Sequence, residues 1–124
     1  MISNIKITNY IVLLFIMCQY SCVQKSYERT VKLTLDVSEI KNIKTVGVRG
    51  EEMPLSWDTD LEMKPIVPDS LYSVEVTSVT GYKFIDVKFV VNGEFELQDQ
   101  PNRRIDFNEN GIANYKAIFN INNQ

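Results

Sequence analysis

A chain of 124 residues, 44% hydrophobic and 23% charged, has the composition of one globular domain with one core. Its net charge of −3 and the lack of any basic run argue against a phosphate-binding surface, so no nucleic-acid partner is expected. It contains no histidine, so neither a Ser-His nor a Cys-His pair can be built, and the commonest metal ligand is missing.

The amino terminus has the layout of an export signal. Met1 to Asn9 carries one cation, Lys6, and the apolar run Tyr10 to Met17 is too short to span a bilayer as a mature helix. Two cysteines follow in Met17-Cys18-Gln19-Tyr20-Ser21-Cys22. Ser21 before Cys22 resembles the small residue ahead of the lipidated cysteine of bacterial lipoproteins, although Gln19 and Tyr20 stand where an aliphatic and a small residue are usual. Residues 1–21 are accordingly expected to be a signal peptide of lipoprotein type, with lipid on Cys22 tethering the protein to a membrane. A plain secretory signal cut nearby, an uncleaved anchor and a Cys18–Cys22 disulfide are the alternatives. If Cys22 becomes the first residue, no free thiol remains, which suits an exported protein. Location in the cell envelope or outer membrane is the expectation, or otherwise in the periplasm or outside the cell. Residues 22–29 read as a short tether.

From Thr30 the chain reads as strands. Thr30 to Val37 alternates strictly, with Val31, Leu33, Leu35 and Val37 on one face. Lys44 to Arg49 is a second strand with Val46 and Val48 inward, weakened by Gly47 and Gly50, which suggest a bulge or sharp exit. Glu51 to Asp60 lacks a period and carries the only tryptophan, while Pro65 and Pro68 keep Leu61 to Pro68 irregular. Leu71 to Val79 is a third strand with Tyr72, Val74 and Val76 inward. The clearest signal follows: Ile85, Val87, Phe89 and Val91 alternate with Phe84, Asp86, Lys88 and Val90, and Asn92-Gly93 closes a type I′ turn. Glu94 to Leu97 should pair back and bring Lys88 close to Phe95. After a polar loop, Ile105 and Phe107 resume the alternation, Asn108 to Gly111 turns, and Asn114 to Ile121 is the last strand. About seven short strands without helical period predict an all-β fold over residues 30–122, an immunoglobulin-like antiparallel β-sandwich, with a small barrel as the other architecture.

Most polar clusters have a plain explanation. Asp58, Asp60 and Glu62 alternate as carboxylates sharing a cation can, but solvated loop charges explain them. Asp106 to Gly111 matches the opening of an EF-hand loop, yet Ala117 stands where the bidentate Glu is needed and the flanks read as strands. Glu94 and Glu96 share a face two residues apart, too close to straddle a sugar ring as a catalytic pair. No enzyme, cofactor or metal is expected. Trp57 is either a core anchor, the commoner outcome for a lone Trp, or an exposed platform.

Arg49-Gly50, Pro54-Leu55-Ser56-Trp57-Asp58, Asp86 to Val91, Phe95-Glu96 and Pro101-Asn102-Arg103 occur in the order and spacing of a known pattern. The set resembles the starch-binding domains of carbohydrate-binding module family 20 and the related glycogen-binding family 48, over about Thr30 to Ile121. The resemblance implies a non-catalytic module in which Trp57 stacks on a glucose ring and Lys88 and Asn102 hydrogen-bond hydroxyls. Phe95 takes the place of a second stacking tryptophan, with Glu96 beside it. The family's second site has no matching residue here. A glucose ring presents an apolar C–H face suited to an aromatic plane and a hydroxyl rim that needs a few donors and acceptors. The expected partner is therefore an α-glucan, starch, glycogen or a related oligosaccharide, bound by a monomer. The rival expectation is an interaction or scaffold domain that has lost sugar binding, or the leader domain of a larger hydrolase.

Overall fold

A computed structural model describes residues 2–17 and 25–122, with side chains described for 6–15 and 25–122. Ile2–Met17 is an α-helix, α1, whose Tyr10, Ile11, Leu13 and Leu14 are exposed. No described helix is long and apolar enough to cross a membrane. Cys18, Ser21 and Cys22, on which the lipidation reading falls, lie outside the described residues.

The remainder is two packed β-sheets, as expected of a sandwich. The strands are β1 (Tyr27–Asp36), β2 (Val46–Gly50), β3 (Leu61–Glu62), β4 (Lys64–Val67), β5 (Leu71–Thr80), β6 (Phe84–Val91), β7 (Glu94–Phe95), β8 (Arg103–Asp106) and β9 (Ile112–Ile118). One sheet runs β4-β5-β1-β9. The other runs β3-β2-β6-β7, with β8 also paired to β6. Val31, Leu33, Leu35, Val46, Val48, Val76, Ile85, Val87 and Phe89 fill the space between them, each under 5% exposed. These are the residues whose alternation marks an inward face, so period-2 patterning and burial agree.

Two features depart from the expectation. The segment after Leu61 is not irregular throughout: β3 and β4 pair with β2 and β5, but two residues, or four containing Pro65, are too few to show a period. The last strand begins at Ile112 and runs parallel to β1, in register from Thr30↔Ile112 to Asp36↔Ile118. It enters from β8 in the opposite sheet rather than through a hairpin, so nothing forces it to reverse beside β1. Of the two readings of Gly50, a bulge or an exit, the exit is the one realised, since β2 ends there with Gly50 still in register opposite Val87. A Cβ there would lie 2.7 Å from Leu55 Cδ1 and 2.8 Å from the Asp86 carbonyl oxygen, so its bare backbone makes room for the buried Leu55.

The hairpin turn has the geometry its residues favour, with φ of 53° at Asn92 and 80° at Gly93. The Asn92 side chain also ties the turn to the second strand's approach. Its Oδ1 accepts from the Lys44 and Thr45 backbone N–H groups at 2.7 and 3.2 Å, and its Nδ2 donates to the Asn42 carbonyl at 3.1 Å.

Candidate functional site

Strand register builds the outer face of the five-stranded sheet. Ile85, Val87 and Phe89 point into the core, so Phe84, Asp86 and Lys88 point outward. Phe95 pairs with Val90 and shares its face, and Arg49 pairs with Lys88 on the neighbouring strand. Trp57, Lys88, Phe95 and Asn102 thereby surround one shallow depression of about 380 Å³, joined by Gln98 and Asp99.

The loop that carries Trp57 is pinned at several points. The Gly50 N–H donates to the Ser56 carbonyl at 3.3 Å, the Leu55 N–H to the Glu52 carbonyl at 2.8 Å, and the Asp58 N–H to Ser56 Oγ at 3.0 Å. Leu55, 2% exposed, is the core anchor of this loop, which leaves Trp57 half-buried on the outer face. Of the two readings of the lone tryptophan, burial in the core is therefore the one that fails.

Arg49 holds the aromatic walls together. Its Nη1 donates to the Trp57 carbonyl at 3.0 Å, its Nε meets Asp60 Oδ1 at 2.6 Å, and its guanidinium carbon lies 5.0 Å from the centroid of the Phe95 ring. A single planar cation thus fixes the Trp57 loop against the hairpin. Lys88 Nζ donates to the Leu97 carbonyl at 3.0 Å, which orients the ammonium and leaves it two further N–H donors.

Glu96 requires a correction. Expected beside the sugar site, it is fully buried, with its carboxylate at the centre of a network. Oε1 accepts from Arg103 Nε at 2.6 Å and the Phe89 N–H at 3.1 Å, while Oε2 accepts from Arg103 Nη2 at 2.9 Å and the Asn120 N–H at 3.3 Å. Glu96 directly follows Phe95, the last residue of β7, and its N–H still donates to the Phe89 carbonyl at 3.0 Å, so with Phe95 turned outward Glu96 turns inward. Arg103 also donates to the Ile118 and Ile121 carbonyls at 3.0 and 2.8 Å. Burial alone lowers the affinity of the Arg103 guanidinium for its proton, but the Glu96 carboxylate and the Tyr115 hydroxyl outweigh it and raise the pKa. The pair fastens the hairpin exit to β8 and the carboxyl-terminal segment, and it offers no group to a ligand.

The other polar clusters are likewise accounted for. Asp60 is engaged by Arg49. The Asp106 to Gly111 segment is a turn in which Asn108 accepts from Gly111 N–H through its carbonyl and from Ile112 N–H through Oδ1, both at 2.9 Å. Glu94 is exposed while Glu96 is buried, so the two do not face one space. Among the described residues, no group of three or more Asp, Glu or Cys is placed to hold a metal.

Sequence reasoning missed three participants. Arg49 is identifiable from parity, since it alternates with Val48 and therefore faces out beside Lys88. Gln98 and Asp99 carry no such signal, because positive φ at Leu97 and Asp99, 48° and 62°, bends the chain out of the strand pattern. Compared with models of known protein families and with the sequences of characterised proteins, the chain matches none.

Proposed function

We propose that this domain is a non-catalytic carbohydrate-binding module, exported and lipid-anchored through Cys22, which holds an α-glucan at one shallow site. The observation that carries the proposal is the convergence of Trp57, Phe95, Lys88 and Asn102 on one exposed depression from three separate segments. The two aromatic rings suit the C–H faces of pyranose rings. Lys88 and Asn102, with Gln98 and Asp99, supply donors and acceptors for the hydroxyl rim. An open site of this size binds weakly, with a dissociation constant on the order of a millimolar, about −4 kcal/mol.

Affinity electrophoresis in gels containing glycogen or amylopectin tests the proposal. Retarded migration of the wild type, relieved by Trp57→Ala, is expected. Equal, unretarded migration of both proteins contradicts it. One observation favours the rival reading as a protein-interaction domain: Arg49 lies across the Phe95 ring, which narrows the platform that this residue offers. Phe95→Trp discriminates between the two, because a sugar platform gains affinity from the larger ring.

A further inference from the structure

We infer that the depression at Trp57 is one end of a longer trough, and that a second subsite beside Tyr82 takes further rings of the same neutral, linear glycan. This rests on the reading of the Trp57 face as a sugar site. A second depression of about 220 Å³ is lined by Glu51, Glu52, Tyr82, Phe84, Asp86 and Arg104. The two are bracketed by the same three segments. On β6 the lining residue steps from Lys88 to Asp86, leading into β8 from Asn102 to Arg104, and on the β2–β3 loop from Trp57 to Glu52. Residues two apart on a strand share a face and lie about 7 Å apart, so the second depression continues the first along β6.

The second depression has the chemistry of a sugar subsite. Tyr82 is 56% exposed, and the Tyr82 N–H donates to Thr80 Oγ1 at 3.1 Å, which fixes the approach of the chain. Its ring lies 6.1 Å from that of Phe84, centroid to centroid. The Arg104 guanidinium stands 3.9 Å from the Phe84 centroid and meets Asp86 at 3.3 Å, so Phe84 is covered and Tyr82 supplies the free aromatic face. Three carboxylates, Glu51, Glu52 and Asp86, line the depression together with one guanidinium, that of Arg104. Carboxylates accept from sugar hydroxyls and repel a polyanion, which selects a neutral chain over a uronate or sulfated one.

Calorimetric titration of the full chain with maltotriose and maltoheptaose tests the subsite, using wild type, Tyr82→Ala, Tyr82→Phe and Trp57→Ala. The wild type should bind the heptasaccharide about fivefold more tightly than the trisaccharide. Tyr82→Ala should lose that gain while keeping wild-type affinity for the trisaccharide, and Tyr82→Phe should retain it. A full chain-length gain in Tyr82→Ala, with Trp57→Ala impaired, overturns the second subsite and leaves the first standing. Failure of the wild type to bind either sugar overturns the first site and the second with it. A heptamer of galacturonate that binds more tightly than maltoheptaose overturns the assignment to a neutral chain.

Discussion

The guanidinium of Arg49 donates to the backbone carbonyl of Trp57 at 3.0 Å, so the position of the aromatic wall is set by a residue on the neighbouring strand. Arg49→Met removes that bond, the Asp60 ion pair and the cation over Phe95, while leaving the core untouched. Glucan affinity should fall about 5- to 20-fold, as loss of one to two charge-assisted contacts implies. Acrylamide quenching of Trp57 fluorescence, which reports this one tryptophan, should rise without a comparable loss in melting temperature. Arg49→Lys should recover little, because an ammonium cannot keep the fork and stack together. Unchanged quenching and affinity in Arg49→Met contradict this role.

Glu96 and Arg103, 0% and 3% exposed, form an ion pair that breaks badly when halved. Arg103→Leu leaves the Glu96 carboxylate buried with two backbone N–H partners and no cation. Urea unfolding should show a loss of about 3–5 kcal/mol, a large share of the stability of a domain this size. Pairing it with Glu96→Leu should restore part of that loss, since two apolar groups leave no buried charge. A single variant as stable as wild type contradicts the assignment.

Asn92→Ala should destabilise the hairpin by about 1–3 kcal/mol, because three side-chain hydrogen bonds disappear and an alanine must adopt positive φ. Asn92→Asp, which keeps the acceptor for the Lys44 and Thr45 N–H groups, should cost less. Thermal melts of the two variants give the order.

Asp36 is held below its ordinary carboxylate value, 3.8, by the Ser38 hydroxyl donating at 2.6 Å and the Ser38 N–H at 2.8 Å, against a small opposing effect of burial. A carboxyl whose folded pKa is depressed contributes stability above its unfolded pKa and loses it as pH falls through the folded value. The difference in melting temperature between wild type and Asp36→Ala should be constant near neutral pH. It should shrink once the pH falls below about 4. A difference that stays level down to acid pH contradicts the Ser38 contact.

How far the sequence discloses this molecule depends on how local the cause is. β1, β6 and the Asn92-Gly93 turn are written in alternation and in one dipeptide, so the sandwich and its outward Lys88 can be read directly. The parallel β9 cannot, because its direction is set by which sheet the chain leaves, a choice no residue of β9 encodes. Glu96 misleads for a related reason: a carboxylate is almost never buried unless paired, and its partner lies seven residues away beyond a polar loop. Trp57, Lys88, Phe95 and Asn102 can be named from the sequence. The Arg49 contact that organises them depends on side-chain reach across two strands and a loop.

If the Trp57, Lys88 and Phe95 face holds a glucan, the protein's single tryptophan reports on it. Titration with maltoheptaose, monitored by Trp57 emission, should give a saturable change with a dissociation constant of about a millimolar, abolished in Lys88→Ala. Emission that remains unchanged up to tens of millimolar, roughly tenfold above that constant, would contradict the account.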